Sequence, residues 1–126
     1  MKRLSWEIFG EENGNLNPVV ICHGLFGSRK NWRTIGRSLS RLGVQVIAVD
    51  MRNHGKSFWD NEHSYIDLAE DLKNVIDQFG GVADLIGHSM GGKAAMTLSL
   101  QYPKSVGKLV VIDIAPKNYA HDQSVN

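Results

Sequence analysis

Ala83-Asp84-Leu85-Ile86-Gly87-His88-Ser89-Met90-Gly91-Gly92-Lys93 decides how the rest of this chain is read. Ala83 to Ile86 suits a short buried strand and runs directly into a Gly-x-Ser-x-Gly pattern. Gly91 to Tyr102 then suits a helix that Pro103 stops. Alone, the pattern is weak, because small residues cluster by chance. Between a strand and a helix it becomes a sharp turn, with glycines on both flanks that let the backbone reverse and present the Ser89 hydroxyl above a sheet. Ser89 is therefore the candidate nucleophile.

Working outward, the same alternation recurs. Val19 to Cys22 is an all-apolar run, Trp32, Ile35, Leu39 and Leu42 repeat at helical steps within Asn31 to Leu42, and Gly43 closes that helix. Val44 to Val49 is the next apolar run. Ser64 is placed to cap a helix whose Tyr65, Leu68, Ala69, Leu72, Val75, Ile76 and Phe79 share one face, and Gly80-Gly81 ends it. Leu109 to Ile114 reads as the last strand, and Leu4 to Phe9 as an edge strand at the other end. Strand, helix, strand, helix, strand, helix, strand predicts an α/β fold with a mostly parallel sheet and helices on both faces. Strands without polar alternation agree, since parallel sheets are buried on both faces. In such sheets ligands bind beyond the carboxyl ends of the strands.

Composition narrows the function classes. The 126 residues carry 14 Lys+Arg against 13 Asp+Glu and 42% hydrophobic residues, with no basic block to form an electrostatic footprint for nucleic acid. The start, Met1-Lys2-Arg3-Leu4-Ser5-Trp6-Glu7, lacks the apolar core of a secretory signal. The longest apolar runs are too short for a transmembrane segment. The expectation is a soluble, cytoplasmic chain. The single cysteine, Cys22, can form no internal disulfide and reads as a buried strand residue, and no Cys/His spacing resembles a metal site.

A serine attacking an acyl carbon needs donors for the oxygen that becomes negative. The Met90 N–H at the start of the helix supplies one, where the helix dipole also favours negative charge. The second is expected from His23-Gly24-Leu25-Phe26-Gly27 after the Val19 to Cys22 strand, with the Leu25 N–H as donor. His23 reads as a structural histidine holding this loop, with acid–base work as the alternative. Phe26 either lines the acyl site or simply packs.

These motifs resemble the α/β-hydrolase superfamily across nearly the whole chain. Asp50-Met-Arg-Asn-His-Gly-Lys-Ser57 resembles that family's Asp-x-Arg-x-His-Gly-x-Ser loop. Gly87 to Lys93, with Val111-Ile-Asp-Ile-Ala-Pro116, is similar to the small esterases of the YbfF type and their mitochondrial relatives. The resemblance implies hydrolysis of carboxylic esters or acyl thioesters, a small-molecule substrate and no cofactor. It makes the mitochondrial matrix an alternative location and gives Asp50, Arg52, His54 and Ser57 a mainly structural role. A serine at the elbow argues against the dehalogenases and epoxide hydrolases of that superfamily, which use aspartate there. Carbon–carbon hydrolases and perhydrolases share the serine.

Serine also needs a histidine base and an acid that orients it. In the resembling family the order is Ser, acid, His. Asp113, near the end of the last strand, is the candidate acid: the resemblance to the YbfF-type esterases gives the acid to this Asp-Ile-Ala-Pro position, whereas many superfamily members carry it one strand later. Its apolar run, where a carboxylate needs a partner, leaves a structural hydrogen-bonding role as a further alternative. His88 belongs to the elbow and is expected to turn away from Ser89. His121 is the only histidine after Asp113, in a polar tail with no following strand to place it. The resemblance places the base after an eighth strand. Residues 1–126 are therefore expected to be the N-terminal part of a single domain, truncated before the lid and final strands and inactive alone. The rival expectation is a non-catalytic truncated product acting, if at all, as a binding module. Oligomeric state is not readable.

Overall fold

The computed structural model describes residues 2–113. Five strands form one sheet in the order β1-β3-β2-β4-β5. They are β1 (Trp6–Phe9), β2 (Val19–Cys22), β3 (Val46–Val49), β4 (Ala83–His88) and β5 (Val106–Ile112). β1 pairs antiparallel with β3, while β3, β2, β4 and β5 are mutually parallel neighbours. Three helices connect the parallel strands: α1 (Arg33–Ser40), α2 (Tyr65–Gln78) and α3 (Met90–Gln101). The mostly parallel α/β architecture expected from the alternation is the one observed.

The pleat sorts the strand side chains to two cores. Val20, Cys22, Ile47, Val49 and Leu85 pack with Leu68, Leu72 and Ile76 of α2 and Ala94, Ala95 and Leu98 of α3. Val19, Ile21, Val46 and Ala48 face Trp32, Ile35 and Leu39 on the other side. β2 and β3 are buried along their whole length, as an uninterrupted apolar run requires. β5 departs from that expectation: Val110 and Val111 are substantially exposed, because among the described residues β5 is a sheet edge.

Local signals set most boundaries. The Ser64 hydroxyl accepts the Asp67 N–H at 3.1 Å while the Asp67 carboxylate accepts the Ser64 N–H at 3.3 Å, a reciprocal cap on α2. The helix predicted from Asn31 instead begins with a 3-10 turn, Arg29–Trp32, capped by Ser28, and α1 follows at Arg33. The strand predicted from Leu109 starts at Val106. The Asp84 carboxylate accepts the Lys108 N–H at 2.8 Å beside a register shift, which lets the loop-like Gly107-Lys108 join the edge strand. Ile114 and the tail with His121 lie outside the described residues. Among the described residues, no helix is long and apolar enough to cross a membrane.

Candidate active site

Ser89 sits between β4 and α3, exposed, with φ 54° and ψ −115°. This is a sparsely populated conformation for a residue with a Cβ, and it persists only because its surroundings fix it. The Ser89 N–H donates to the Ile112 carbonyl at 3.1 Å, and the Ser89 carbonyl accepts the Lys93 N–H at 3.0 Å. Below the serine, a Cβ on Gly91 would overlap the Cys22 carbonyl and lie 2.6 Å from the His23 carbonyl oxygen. The absence of a side chain at Gly91 therefore lets α3 start against the end of β2, which brings the His23 to Gly27 loop beside the nucleophile.

That adjacency is direct. A Cβ on Gly24 would lie 3.2 Å from Ser89 Cβ and 2.7 Å from His88 Nδ1. Leu25, the next residue, is thus beside Ser89, and Met90 is the first residue of α3, where an N–H has no intrahelical acceptor. Neither the Leu25 nor the Met90 N–H is spent on a turn or cap hydrogen bond among the described residues. Gly24 packs on Ser89 and Met90 follows it in the chain, so both amides belong to the immediate neighbourhood of the serine, where a developing oxyanion would need donors.

The Gly24–Leu25 peptide is held by its carbonyl. The Gly24 oxygen accepts the Gly27 N–H at 3.0 Å and His23 Nδ1–H at 2.7 Å. His23 Nε2 accepts the Met51 N–H at 2.9 Å, which fixes the proton on Nδ1. Since a peptide is planar, fixing the Gly24 carbonyl fixes the Leu25 N–H on its opposite side. His23 is 1% exposed, and burial lowers its pKa, so the ring stays neutral. Both nitrogens are engaged in holding the loop, the structural arrangement expected of this histidine. Burial likewise pushes the Cys22 thiol up to about 12, leaving it inert.

Asp113 follows the end of β5, and Ile112 stands opposite His88 in the β4–β5 register, so Asp113 follows the strand neighbouring the one that carries Ser89. Asp113 is exposed, so among the described residues its carboxylate does not bear the burial cost that its apolar run suggested a partner would offset. The edge position of β5 is the physical reason. Phe26 is 91% exposed with φ 63°, so it does not pack within the described residues. The His88 ring lies 6.0 Å from the Trp32 ring and beneath Gly24, committed to packing. Among the described residues no group of three or more His, Cys, Asp or Glu could hold a metal ion. A cavity of about 590 Å³ lies at the opposite, amino-terminal end of the strands, lined by Leu16, Gln45 and Phe79 among others.

In the loop after β3, Asp50, Arg52, His54 and Ser57 each have a partner. The Asp50 carboxylate accepts the Arg29 N–H and Nη1–H, both at 2.8 Å, and the Lys56 N–H at 3.1 Å. Arg52 meets Asp71 of α2 with Nε at 2.6 Å and Nη2 at 2.9 Å. The Ser57 hydroxyl donates to the Asp50 carbonyl and accepts the Ser5 N–H. His54 Nε2 accepts the Phe26 N–H at 3.0 Å. The sequence showed a hydrogen-bonded bend here. It did not show that this bend supports the loop beside Ser89, because the contacts join residues 21 and 28 positions apart.

Residues 17–124 match the family described as "alpha/beta hydrolase fold". The chain is 45% identical over 113 residues to esterase YbfF of Escherichia coli (strain K12), covering 86% of this chain and 44% of that protein. It is 44% identical over 115 residues to an sn-1-specific diacylglycerol lipase, ABHD11 of Danio rerio, covering 90% of this chain and 36% of that one. A solved marine microorganism esterase superposes with a TM-score of 0.83 at 38% identity, covering 99% of this chain and 50% of that structure. The chain thus spans less than half the length of both curated relatives.

Proposed function

Because this chain belongs to the alpha/beta hydrolase fold family, we propose that it carries the nucleophile half of a serine hydrolase of carboxylic esters or acyl thioesters. The observation that carries the reading is Ser89 at positive φ in a strand–turn–helix elbow, with the Gly24–Leu25 loop packed against it and the unspent Met90 N–H next in the chain. Ser89 Oγ attacks the acyl carbon, and the resulting oxyanion takes hydrogen bonds from Leu25 N–H and Met90 N–H. A histidine base accepts the hydroxyl proton as Oγ bonds to the acyl carbon, then gives it to the leaving alcohol or thiol as the C–O or C–S bond of the tetrahedral intermediate breaks, leaving acyl-Ser89. The same histidine then deprotonates the water that releases the acid. Asp113 orients that histidine, and Phe26 flanks the acyl group.

His23, His54 and His88 are held in other contacts, and the exposed His63 has its ring 6.3 Å from that of His54; in this reading the base comes from outside residues 2–113, after the later strands that the family resemblance implies. Names of the relatives as esterase and lipase support the ester class. A fluorophosphonate probe and a p-nitrophenyl ester test the proposal. The full product of the gene should label at Ser89 and turn over, with both signals lost in Ser89→Ala, while the 126-residue chain should show little turnover. Labelling unchanged in Ser89→Ala would overturn the assignment, and absence of any labelling would favour a non-catalytic product. Sequence of the gene past codon 126 should show further strands and a loop histidine.

A further inference from the structure

The loop beside Ser89 has an unusual residue at its tip. Phe26 has φ 63°, in the left-handed region that side chains rarely occupy, and its ring is 91% exposed. Ring packing within the described residues therefore does not hold that backbone in place. What meets it is a hydrogen bond: the Phe26 N–H donates to His54 Nε2 at 3.0 Å. His54 is itself buried, and its Nδ1 lies 2.9 Å from the Arg52 carbonyl. A carbonyl can only accept, so Nδ1 carries the proton and Nε2 is left as the acceptor that Phe26 requires. Both contacts agree on one neutral tautomer.

The tie continues into the fold. Arg52, whose carbonyl accepts the hydrogen bond from His54 Nδ1–H, is clamped to Asp71 on α2 and donates to the Glu62 carbonyl at 2.7 Å. The His54 ring also lies 5.0 Å from the ring of His23, the residue that holds the Gly24 carbonyl. Gly24 and Phe26 bracket Leu25. One histidine fixes the peptide before Leu25 and the other fixes the peptide after it, so the Leu25 backbone is held from both sides by two rings in contact.

We propose that His54 is a positioning residue for the oxyanion loop: through the Phe26 N–H it holds the Leu25 amide in register with Ser89. This rests on the reading of Leu25 N–H as an oxyanion donor. Loss of an oxyanion donor costs about 10²- to 10³-fold in kcat. A donor displaced rather than deleted gives a smaller loss, about 10- to 100-fold, falling on kcat because the interaction matures only in the transition state.

Two substitutions separate this role from simple packing. His54→Phe keeps a ring but removes the acceptor, and His54→Gln keeps one acceptor and one donor. Hydrogen exchange of the Phe26 amide is followed by NMR in the 126-residue chain, and kcat and KM are measured on the full gene product at a temperature where each variant is folded. The expected result is Phe26 protection in the wild type and in His54→Gln, and loss of it in His54→Phe. The kcat of His54→Phe should fall 10- to 100-fold with KM within about twofold, with His54→Gln restoring most of it. Equal Phe26 protection in folded His54→Phe, or a change confined to KM, would overturn the role. If the wild-type product neither labels nor turns over, the hydrolase reading fails and with it the oxyanion meaning. The exchange measurement still decides separately whether His54 holds the loop.

Discussion

Replacing Asp50 by asparagine keeps the shape of the side chain and removes its charge, which isolates the electrostatic part of the scaffold under the Ser89 site. The Asp50 side chain is 3% exposed and that of Arg29 is 12% exposed, so solvent can compensate neither. The carboxylate accepts three N–H groups: the Arg29 amide, Arg29 Nη1 and the Lys56 amide. Asparagine offers one acceptor oxygen. If it stays on the Arg29 amide, its NH₂ faces two donors, Arg29 Nη1 and Lys56 N–H. The loss is then one charge-assisted hydrogen bond, worth about 1.5–3 kcal/mol, and a second bond to the charged group. It also leaves a guanidinium whose Nε has only Glu7 nearby, at 3.8 Å. Removing one partner of a buried pair costs about 3–5 kcal/mol, and Asp50→Asn should fall in that range. Urea denaturation of the 126-residue chain reads it directly: with a slope of about 1.5 kcal/mol per molar, the midpoint should drop by about 2–3 M. Adding Arg29→Met should return part of the loss, because the stranded charge is gone. A drop below about 1 kcal/mol in Asp50→Asn, or no recovery in the double variant, would refute the view that this pair holds the loop.

Gly91→Ala drives a methyl into the Cys22 and His23 carbonyls, which are backbone and cannot rotate away. A loss of about 3 kcal/mol in a urea melt is expected, and an unchanged melt would contradict the close approach. His23 gives a pH signature. Its folded pKa lies below the ordinary 6.5, so the unfolded chain binds the proton first as pH falls. This contribution is complete above about pH 6.5 and is lost below it, at up to about 1.4 kcal/mol per pH unit until the folded pKa is reached. A His23→Gln variant should show a correspondingly shallower decline between pH 6.5 and 5, and identical slopes would exclude the buried neutral ring. In the full gene product, Asp113→Asn should lower kcat by about 10⁴-fold with the fold intact, the cost of misorienting the histidine. Near wild-type turnover would move the acid to another carboxylate.

The turn around Ser89 was legible because its requirements are local: a strand, two glycines and a helix start within a dozen residues. The cap at Ser64 and the stop at Gly80-Gly81 were legible for the same reason. Asp113 shows the limit. An apolar run around a carboxylate suggests burial only if another strand covers it, and exposure depends on what lies beside β5. Val106 to Lys108 was missed because glycine and lysine signal a loop, whereas an edge strand tolerates both once Asp84 takes the Lys108 amide. His54 is the plainest case. Its residue type and spacing suited a bend, but the group it serves is the amide of Phe26, 28 positions earlier.

Those separations also bear on the order in which the chain acquires its shape. His23 waits for the amide of Met51, Phe26 for the ring of His54, and the amide of Ser89 for the carbonyl of Ile112. Each closes a long loop before any contact repays the entropy, so none of them stabilises an early nucleus. On a ribosome the serine turn can begin to form once α3 has emerged, but its final constraint arrives only with the end of β5. Until then the nucleophile's backbone is free to relax, and the loop beside it has no fixed partner.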